Sequence, residues 1–317
     1  MTKEHDRENG VEDVAGSPLS ILTSGAGGLI GQAAVRSFAR RGYRITRLVR
    51  RAAADPREVF WNPDSHEIDP EACEGFDAVV HLAGAGIAER RWTPARKEVI
   101  LNSRVDGTNL ICETLARLDH PPRVVVCASA IGFYGNRREE VLDEESESGK
   151  GFLADVCRRW EAAAKPAVEA GIRLVFARFG IILSPNGGAL NKMLTPFRLG
   201  LGGRVGNGRQ YWSWISLDDA VGAINHSISS ESLSGAVNVV SPKPVTNAEF
   251  TRTLAHVLKR PALFPMPAAV ARLMLGEMAD ELLLSSARVT PRKLLETGYR
   301  FRNPTLEGCL HDLLRVE

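Results

Sequence analysis

Short apolar runs alternate with longer amphipathic segments along the chain, and this alternation limits the possible folds more than any other feature. The runs are rich in Val, Ile and Leu, which is typical of strands covered on both faces of a parallel sheet. The longer segments have the character of the crossover helices that such a sheet needs. The sequence therefore predicts a doubly wound α/β fold. The predicted strands are 19–24, 43–49, 58–61, 77–82, 123–129, 172–178 and, further on, 236–240, and the predicted helices are 29–41, 94–118, 151–170, 217–229 and 247–258.

A glycine-rich turn, LTSGAGGLIGQ at 22–32, follows the first predicted strand and opens the first predicted helix. Three of its glycines have the spacing G-x-x-G-x-x-G. In this context the first permits a tight turn, the second lets the backbone approach a pyrophosphate, and the third lets the helix pack against the strand. The N-terminus of the helix then faces the phosphates. A purely structural glycine turn is the alternative. We predict a dinucleotide site that includes Gly25, Gly28, Leu29, Ile30 and Gly31.

The end of the second predicted strand indicates which dinucleotide is bound. Sites selective for NAD usually carry an acidic residue there for the ribose 2′-hydroxyl, whereas a basic residue suits a 2′-phosphate. This strand ends TRLVRR, with Arg50 and Arg51 at that position. We therefore predict that the cofactor is NADP(H), the alternative being a solvated basic strand end.

Charge balance and cysteine content exclude several kinds of partner. Forty basic residues against thirty-eight acidic ones give a net charge of +2, so no overall field attracts nucleic acid or an anionic membrane. No apolar run is long enough to span a bilayer. The five cysteines are scattered, without a CxxC pair or a histidine at metal-ligand spacing. We therefore expect a cytoplasmic protein that binds a small-molecule substrate but no nucleic acid, membrane or metal.

Changes in composition divide the chain into four predicted parts. Residues 1–18 are of mixed charge and poor in apolar side chains, which indicates a flexible tail. The dinucleotide-binding domain is predicted over 19–178. The pattern then loosens into a glycine-rich region, and we predict that 179–260 forms a substrate lobe. Three prolines within seven residues open a small C-terminal module, predicted over 261–317.

Several stretches resemble a known family. HLAG at 81–84 ends the fourth predicted strand, and SAIGFYG at 129–135 follows the fifth. With the glycine turn, they resemble the extended short-chain dehydrogenases/reductases, the NAD(P)-dependent epimerase/dehydratase group with a Rossmann fold. FLADVCRRWEAA at 152–163, the segment 187–219 and the C-terminal tail resemble the atypical subgroup called epimerase family proteins. Members of that subgroup carry a small C-terminal domain of uncharacterised function.

This resemblance implies where cofactor and substrate lie. Ala83 and Gly84 would run along the ribose and pyrophosphate of the cofactor, Ser129 would lie near the nicotinamide, and Arg178 would lie beside the substrate pocket. In many relatives the helices after the fourth and fifth strands form a four-helix bundle between two subunits. The resemblance therefore also implies a possible homodimer.

The catalytic pair of the family is absent. Redox enzymes of the family use a Tyr and a Lys four residues later, and the Lys lowers the pKa of the Tyr. Aligned by the helix, that pair falls on Cys157 and Glu161, which do not reproduce this chemistry. Tyr134 has Arg138 four residues later and is either an acid/base or part of the pocket lining.

Two kinds of function follow from these observations. In the first, the protein is an oxidoreductase or epimerase with an atypical acid/base set drawn from Ser129, Tyr134, Cys157 and Glu161. In the second, it is an NADPH-binding sensor or scaffold protein without turnover. The basic, glycine-rich segment RLGLGGRVGNGRQ at 198–210 is predicted to be a mobile lid over the pocket, with a phosphate-binding or RNA-binding loop as the alternative.

Overall fold

The computed structural model describes residues 18–314, and a mixed arrangement of strands and helices fills this range. The strands are β1 (Ser20–Ser24), β2 (Arg44–Val49), β3 (Glu58–Asn62), β4 (Glu67–Ile68), β5 (Ala78–His81), β6 (Val124–Ala130), β7 (Val141–Leu142), β8 (Arg173–Phe179), β9 (Ile181–Leu183), β10 (Tyr211–Trp212), β11 (Trp214–Ser216), β12 (Gly235–Val239), β13 (Val245–Thr246) and β14 (Arg288–Val289). The helices are α1 (Leu29–Arg40), α2 (Pro94–Leu115), α3 (Phe152–Ala162), α4 (Lys165–Glu169), α5 (Gly188–Arg198), α6 (Leu217–Ser229), α7 (Asn247–Val257), α8 (Ala268–Leu275), α9 (Arg292–Glu296) and α10 (Leu306–Leu314).

Eight strands form one large sheet in the order β12-β8-β6-β5-β1-β2-β3-β4. All pairings within it are parallel except that of β4, which runs antiparallel to β3 at the edge. The chain leaves β1 toward β2 on one side and returns through β5 on the other, so the strand order reverses between β1 and β5. In open α/β sheets, ligands bind at such a reversal, beyond the carboxyl ends of the strands. The predicted α/β fold with a parallel sheet is confirmed.

Two apolar cores cover the two faces of this sheet. Successive strand residues alternate between them: Ile21 lies in one core and Leu22 in the other, and the same holds for Val125 and Val126. Helices α1 and α6 contribute to the first core, and α2 and α4 to the second. Because both faces are covered, the strands need apolar side chains in both directions, which explains their runs of Val, Ile and Leu.

The helix predicted over 151–170 is two helices in the structure. Helix α3 ends at Ala162, and α4 begins at Lys165 with Pro166 in its first turn. Proline lacks an N–H group and its ring clashes with the carbonyl four residues earlier, so one continuous helix cannot pass through this point. Helix α2 begins as predicted, with Thr93 accepting a hydrogen bond from the N–H of Arg96.

The predicted divisions at residues 178 and 260 do not coincide with separate cores. Strand β12 pairs with β8 at the edge of the main sheet, and α6 packs in the core beside α1. A third core joins α5 and α7 to α10, near the C-terminus. Pairing between distant strands is not visible in a local pattern, which is why these assignments needed the structure. The predicted tail over 1–18 lies outside the described residues except for Pro18.

Across residues 18–314, no helix combines the length and the apolar composition that crossing a bilayer would require.

Candidate cofactor and active site

The turn between β1 and α1 is built from glycines that touch neighbouring backbone. Gly25 has a φ of +69°, and a Cβ there would lie 2.6 Å from the carbonyl carbon of Leu82. A Cβ on Gly31 would lie 2.1 Å from the carbonyl oxygen of Gly25. Neither position tolerates a side chain. Gly25 therefore makes the turn possible, and Gly31 lets α1 pack directly against it.

The N-terminus of α1 offers a site for an anionic group. Gly28 is the N-cap residue, no side chain of residues 18–314 caps the helix, and its first turn holds no acidic residue. A Cβ on Gly27 would meet no atom within 4 Å, so this side of the turn is open. Unpaired N–H groups and the positive end of the helix dipole attract phosphates. Leu29 and Ile30 lie in the first turn of this helix.

Ala83 and Gly84 lie next to the glycine turn, because β5 pairs with β1 in the sheet. A Cβ on Gly25 would lie 2.7 Å from the backbone nitrogen of Ala83. The two segments that sequence reasoning assigned to the cofactor are therefore in contact, at the edge where the strand order reverses. This arrangement fits a dinucleotide laid across the carboxyl ends of β1 and β5.

The two arginines after β2 differ in their surroundings. Arg51 makes a two-pronged ion pair with Glu58, with contacts of 2.8 and 2.7 Å, and the Glu58 side chain is only 2% exposed. Arg47 approaches the same carboxylate at 3.0 Å. Arg50 pairs with Asp64 on the surface, where both side chains are more than half exposed. Exposed pairs of this kind contribute little to stability and yield easily to a competing anion. Arg50 is thus the more available cation.

A buried ion pair stands where the family's catalytic pair would lie. Arg178, on β8, donates two hydrogen bonds of 2.8 Å to the Glu161 carboxylate of α3. Ser129, at the end of β6, donates to the same carboxylate at 2.7 Å. Arg178 also donates to the Tyr134 hydroxyl at 3.0 Å, and its guanidinium lies 3.5 Å from the centre of the Phe133 ring. Three of the four sequence-predicted candidates, Ser129, Tyr134 and Glu161, are therefore joined through Arg178.

The remaining candidate, Cys157, lies outside this network. Its thiol faces the carbonyl oxygen of Ala130 at 3.6 Å and is almost fully buried. Burial, with the nearby Glu161 carboxylate, raises the pKa of Cys157 to about 12. The pKa of Tyr134, also fully buried, is raised by burial. Both groups therefore keep their protons at neutral pH.

Sequence reasoning missed Arg104, which lies on α2 beneath Gly84. A Cβ on Gly84 would lie 3.4 Å from the Arg104 side chain. Burial lowers the pKa of Arg104 to about 10, and its one hydrogen bond in the described part of the chain goes to the carbonyl of Ile100. Its guanidinium also stacks 5.0 Å from the Trp160 ring. The sequence did carry one signal for Arg104: it is a single arginine on a face of the long helix α2 that otherwise consists of apolar and small residues.

His81 holds the strands under this edge together. Its ring is fully buried, with Nδ1 2.6 Å from the Ser24 hydroxyl and Nε2 3.0 Å from that of Thr108. Burial lowers the pKa of His81 to about 4. The neutral ring therefore links β1, β5 and α2 as a structural group and does not titrate near neutral pH.

The C-terminal part of the chain caps the helix that carries Cys157 and Glu161. Glu281 lies in a short π-helical turn at Ala279–Leu283, and its carboxylate accepts hydrogen bonds from the N–H groups of Phe152 and Leu153 at 3.3 and 3.2 Å. These are the first residues of α3. A carboxylate at a helix N-terminus satisfies free donors and complements the dipole.

Comparison with known proteins agrees with this geometry. Residues 21–239 match the model of the NAD dependent epimerase/dehydratase family. The chain belongs to the NAD dependent epimerase/dehydratase family. Residues 266–313 of this family member match a second model, Domain of unknown function (DUF1731). The expected family and the expected small C-terminal domain are both confirmed.

Relatives extend over nearly the whole of this epimerase family chain. An epimerase family protein of Mycobacterium tuberculosis is 43% identical over 290 residues, which is 92% of this chain and 96% of the relative. Human epimerase family protein SDR39U1 is 32% identical, covering 93% of this chain and 100% of the relative. A crystal structure of human SDR39U1 with NADPH superposes with a TM-score of 0.86 at 32% identity, over 94% of this chain and 99% of that one.

Proposed function

We propose that this protein binds NADP(H) and catalyses hydride transfer at a carbon bearing a hydroxyl or carbonyl group of a small molecule, as an oxidoreductase or epimerase. The observation that carries the catalytic part is the 2.7 Å hydrogen bond from Ser129 to Glu161. It joins the strand-end serine to the helix position that aligns with the Lys of the family's catalytic pair. The human relative solved with NADPH supports the choice of cofactor.

The residues present fit a dinucleotide. The uncapped N-terminus of α1 and the open space at Gly27 suit its pyrophosphate. Arg50 is proposed to bind the 2′-phosphate, exchanging its exposed pair with Asp64 for a dianion. Arg51 is proposed to position this strand end through Glu58 without contacting the phosphate.

A titration tests the cofactor assignment. NADPH and NADH would each be titrated by fluorescence into the wild type, Arg50→Ala and Arg51→Ala. One charge-assisted contact contributes about 1.5–3 kcal/mol, so Arg50→Ala should weaken NADPH about ten- to a hundredfold and leave NADH unchanged. Arg51→Ala should have the smaller effect. Equal binding of both cofactors to the wild type, or binding of neither, would contradict NADP(H).

Bound nicotinamide would supply or accept the hydride, and the chain's own groups would handle the proton. In alcohol oxidation, Ser129 Oγ is proposed to accept the proton of the substrate hydroxyl while its own proton passes to the Glu161 carboxylate, and carbonyl reduction would return both protons along the same path. The cations of Arg104 and Arg178 would stabilise negative charge that develops on the substrate oxygen. Tyr134 and Cys157 are left out of the acid/base set because burial raises the pKa of each.

NADPH consumption on a panel of ketones and aldehydes tests this chemistry. Ser129→Ala should lower kcat/KM about a hundredfold, the usual contribution of a positioned acid/base group. Ser65→Ala, on an exposed turn, is the matched control and should retain full activity. An active Ser129→Ala variant would overturn the proposed role of the serine.

A specific observation favours a second function, an NADPH-binding sensor or scaffold without turnover. Both oxygens of Glu161 are already bound by Arg178, which engages the carboxylate in a buried structural ion pair. Tight NADPH binding without consumption on any carbonyl compound would favour this function.

Two finer expectations stay proposals. A homodimer through the helices after β5 and β6 is implied by resemblance, and light scattering after size exclusion would test it. A cytoplasmic location is supported by the five cysteines, which are all free and buried, and imaging of a tagged chain would test it.

A further inference from the structure

A cavity of about 380 Å³ lies where three separate segments meet. Its walls come from the loop at 136–139, the glycine-rich segment at 206–210, and the C-terminal part of the chain, namely α8 and residues 284–286. It shares no lining residue with the glycine turn, with Ala83 and Gly84, or with the Ser129 network. The cavity is therefore a feature that the proposed cofactor site does not account for.

The charge of its lining is strongly one-sided. Three arginines, Arg138, Arg209 and Arg272, line the cavity, against a single acid, Glu139. Within residues 18–314, no hydrogen bond or ion pair engages the guanidinium groups of Arg138 and Arg209, and the hydrogen bonds of these two residues are made by their backbone atoms. Arg272 pairs with Asp280 on the surface. Two unpaired guanidiniums in one cavity are an unbalanced charge that an anion would complement.

The loops that carry these arginines are held in place before any ligand arrives. Arg138 has a φ of +57°, a backbone conformation that is uncommon for a side chain of this size. The Ser286 hydroxyl donates to the Arg138 carbonyl oxygen, and the Ser286 N–H donates to Asn136 Oδ1 at 3.3 Å. On the facing segment, Asn207 Oδ1 accepts from the N–H of Arg209 at 2.9 Å. Because both amide oxygens are used, the groups that Asn136 and Asn207 can still offer are N–H donors.

A second cavity shows that an excess of arginines over acidic residues is not a general property of the cavities on this surface. It has a volume of about 240 Å³ and is lined by one arginine, Arg252, together with Glu249, Glu307, Thr253 and His256. Acids outnumber the arginine there. Such a lining offers no net positive charge to an anion.

We propose that the cavity at Arg138, Arg209 and Arg272 binds a phosphate group, either the free ion or the phosphate of a small phosphorylated molecule. Planar guanidinium donors match phosphate geometry, and the side-chain N–H groups of Asn136 and Asn207, which also line the cavity, are further donors. No aromatic ring lines the cavity, so stacking of nucleobases is not part of its recognition. The basic glycine-rich segment then acts as one wall of a phosphate site.

Calorimetric titration of the purified full chain tests this, with inorganic phosphate and with glycerol 2-phosphate as probes. Arg209→Ala and Arg138→Ala should each weaken binding at least about tenfold, the loss of one charge-assisted contact. Arg209→Lys should bind phosphate more tightly than Arg209→Ala but less tightly than the wild type, because lysine keeps the positive charge and lacks the planar, two-pronged donors of a guanidinium. Arg252→Ala, in the second cavity, is the matched control and should change affinity less than about twofold. NADPH titration of every variant checks that each is folded.

The two probes and a competition experiment separate the outcomes. Tighter binding of glycerol 2-phosphate would identify a phosphorylated molecule as the occupant, and preference for inorganic phosphate would identify the free ion. The titration is repeated with NADPH at saturation, where binding should persist. Loss of phosphate binding with NADPH or in Arg50→Ala, but not in Arg209→Ala, would place the phosphate in the cofactor site and overturn the proposal. So would absence of binding to the wild type.

Discussion

Replacing Glu161 by Ala would leave the Arg178 guanidinium buried without its carboxylate. The two side chains are 13% and 5% exposed, and the contacts between them are 2.8 Å long. Burial opposes the charge on Arg178, and in the wild type its hydrogen bonds to Glu161 outweigh this and raise its pKa; the variant keeps the cost of burial and loses the interactions that offset it. Removing one partner of a buried pair costs about 3–5 kcal/mol. We expect Glu161→Ala to lower the free energy of unfolding by this amount.

A double-mutant cycle measures the interaction itself. Arg178→Met should cost a similar amount, with about 1 kcal/mol more for the hydrogen bond to Tyr134. The double variant Glu161→Ala/Arg178→Met removes both charges, so its loss should be about 1–3 kcal/mol smaller than the sum of the two single losses. Urea unfolding, followed by near- and far-UV circular dichroism, gives the four free energies. Glu169→Ala, which breaks an exposed pair with Lys165, should cost under about 1 kcal/mol. If the single losses simply add in the double variant, the two charges are not coupled and the reasoning fails.

Three other features give further predictions. Gly31→Ala should destabilise the chain and abolish NADPH binding, because its Cβ would lie 2.1 Å from a carbonyl oxygen, while Gly27→Ala, which meets nothing within 4 Å, should leave stability unchanged in urea unfolding. The pKa of His81 is about 4 in the folded state and about 6.5 when unfolded, so the unfolded chain binds the extra proton as pH falls. The wild type should therefore lose about 2 kcal/mol more than His81→Gln between about pH 7.5 and about pH 5; equal losses would contradict the assignment. Glu281→Gln should cost about 1 kcal/mol through the weakened cap of α3, and Asp280→Asn, one residue earlier, should cost less.

Local sequence patterns were sufficient to predict the fold, because the apolar runs of the strands and the amphipathic pattern of the helices each extend over only a few consecutive residues. The buried strand runs, the glycine turn and the start of α2 each depend on a few consecutive residues, and the structure has them at or near the predicted positions. Registers between strands are not local. Ser129 on β6 lies opposite Arg178 on β8, and this pairing brings the arginine to Glu161. The ion pair therefore could not be predicted from the spacing within either strand.

The remaining differences between the predicted site and the structure come from side-chain partners, which the sequence pattern does not specify. Arg50 and Arg51 are chemically identical and adjacent in sequence, yet Glu58 engages only the second. Arg104 depends on the approach of α2 to the loop after β5, which the helix pattern alone does not describe. Tyr134 was open between acid/base and pocket lining, and its complete burial follows from packing against Asn238 and Arg178.

The cap that Glu281 places on α3 also has a consequence for synthesis on the ribosome. Glu281 follows Phe152 by 129 residues, and translation adds about 5–20 residues per second. The capping carboxylate is therefore synthesised about 6–26 seconds after the first residue of α3. By the end of that interval the nascent chain contains the glycine turn, Arg50, Ser129 and Arg178. A chain released before residue 281 would carry these residues with the first turn of α3 unsatisfied. The last sixth of the protein thus completes a helix that was made long before it.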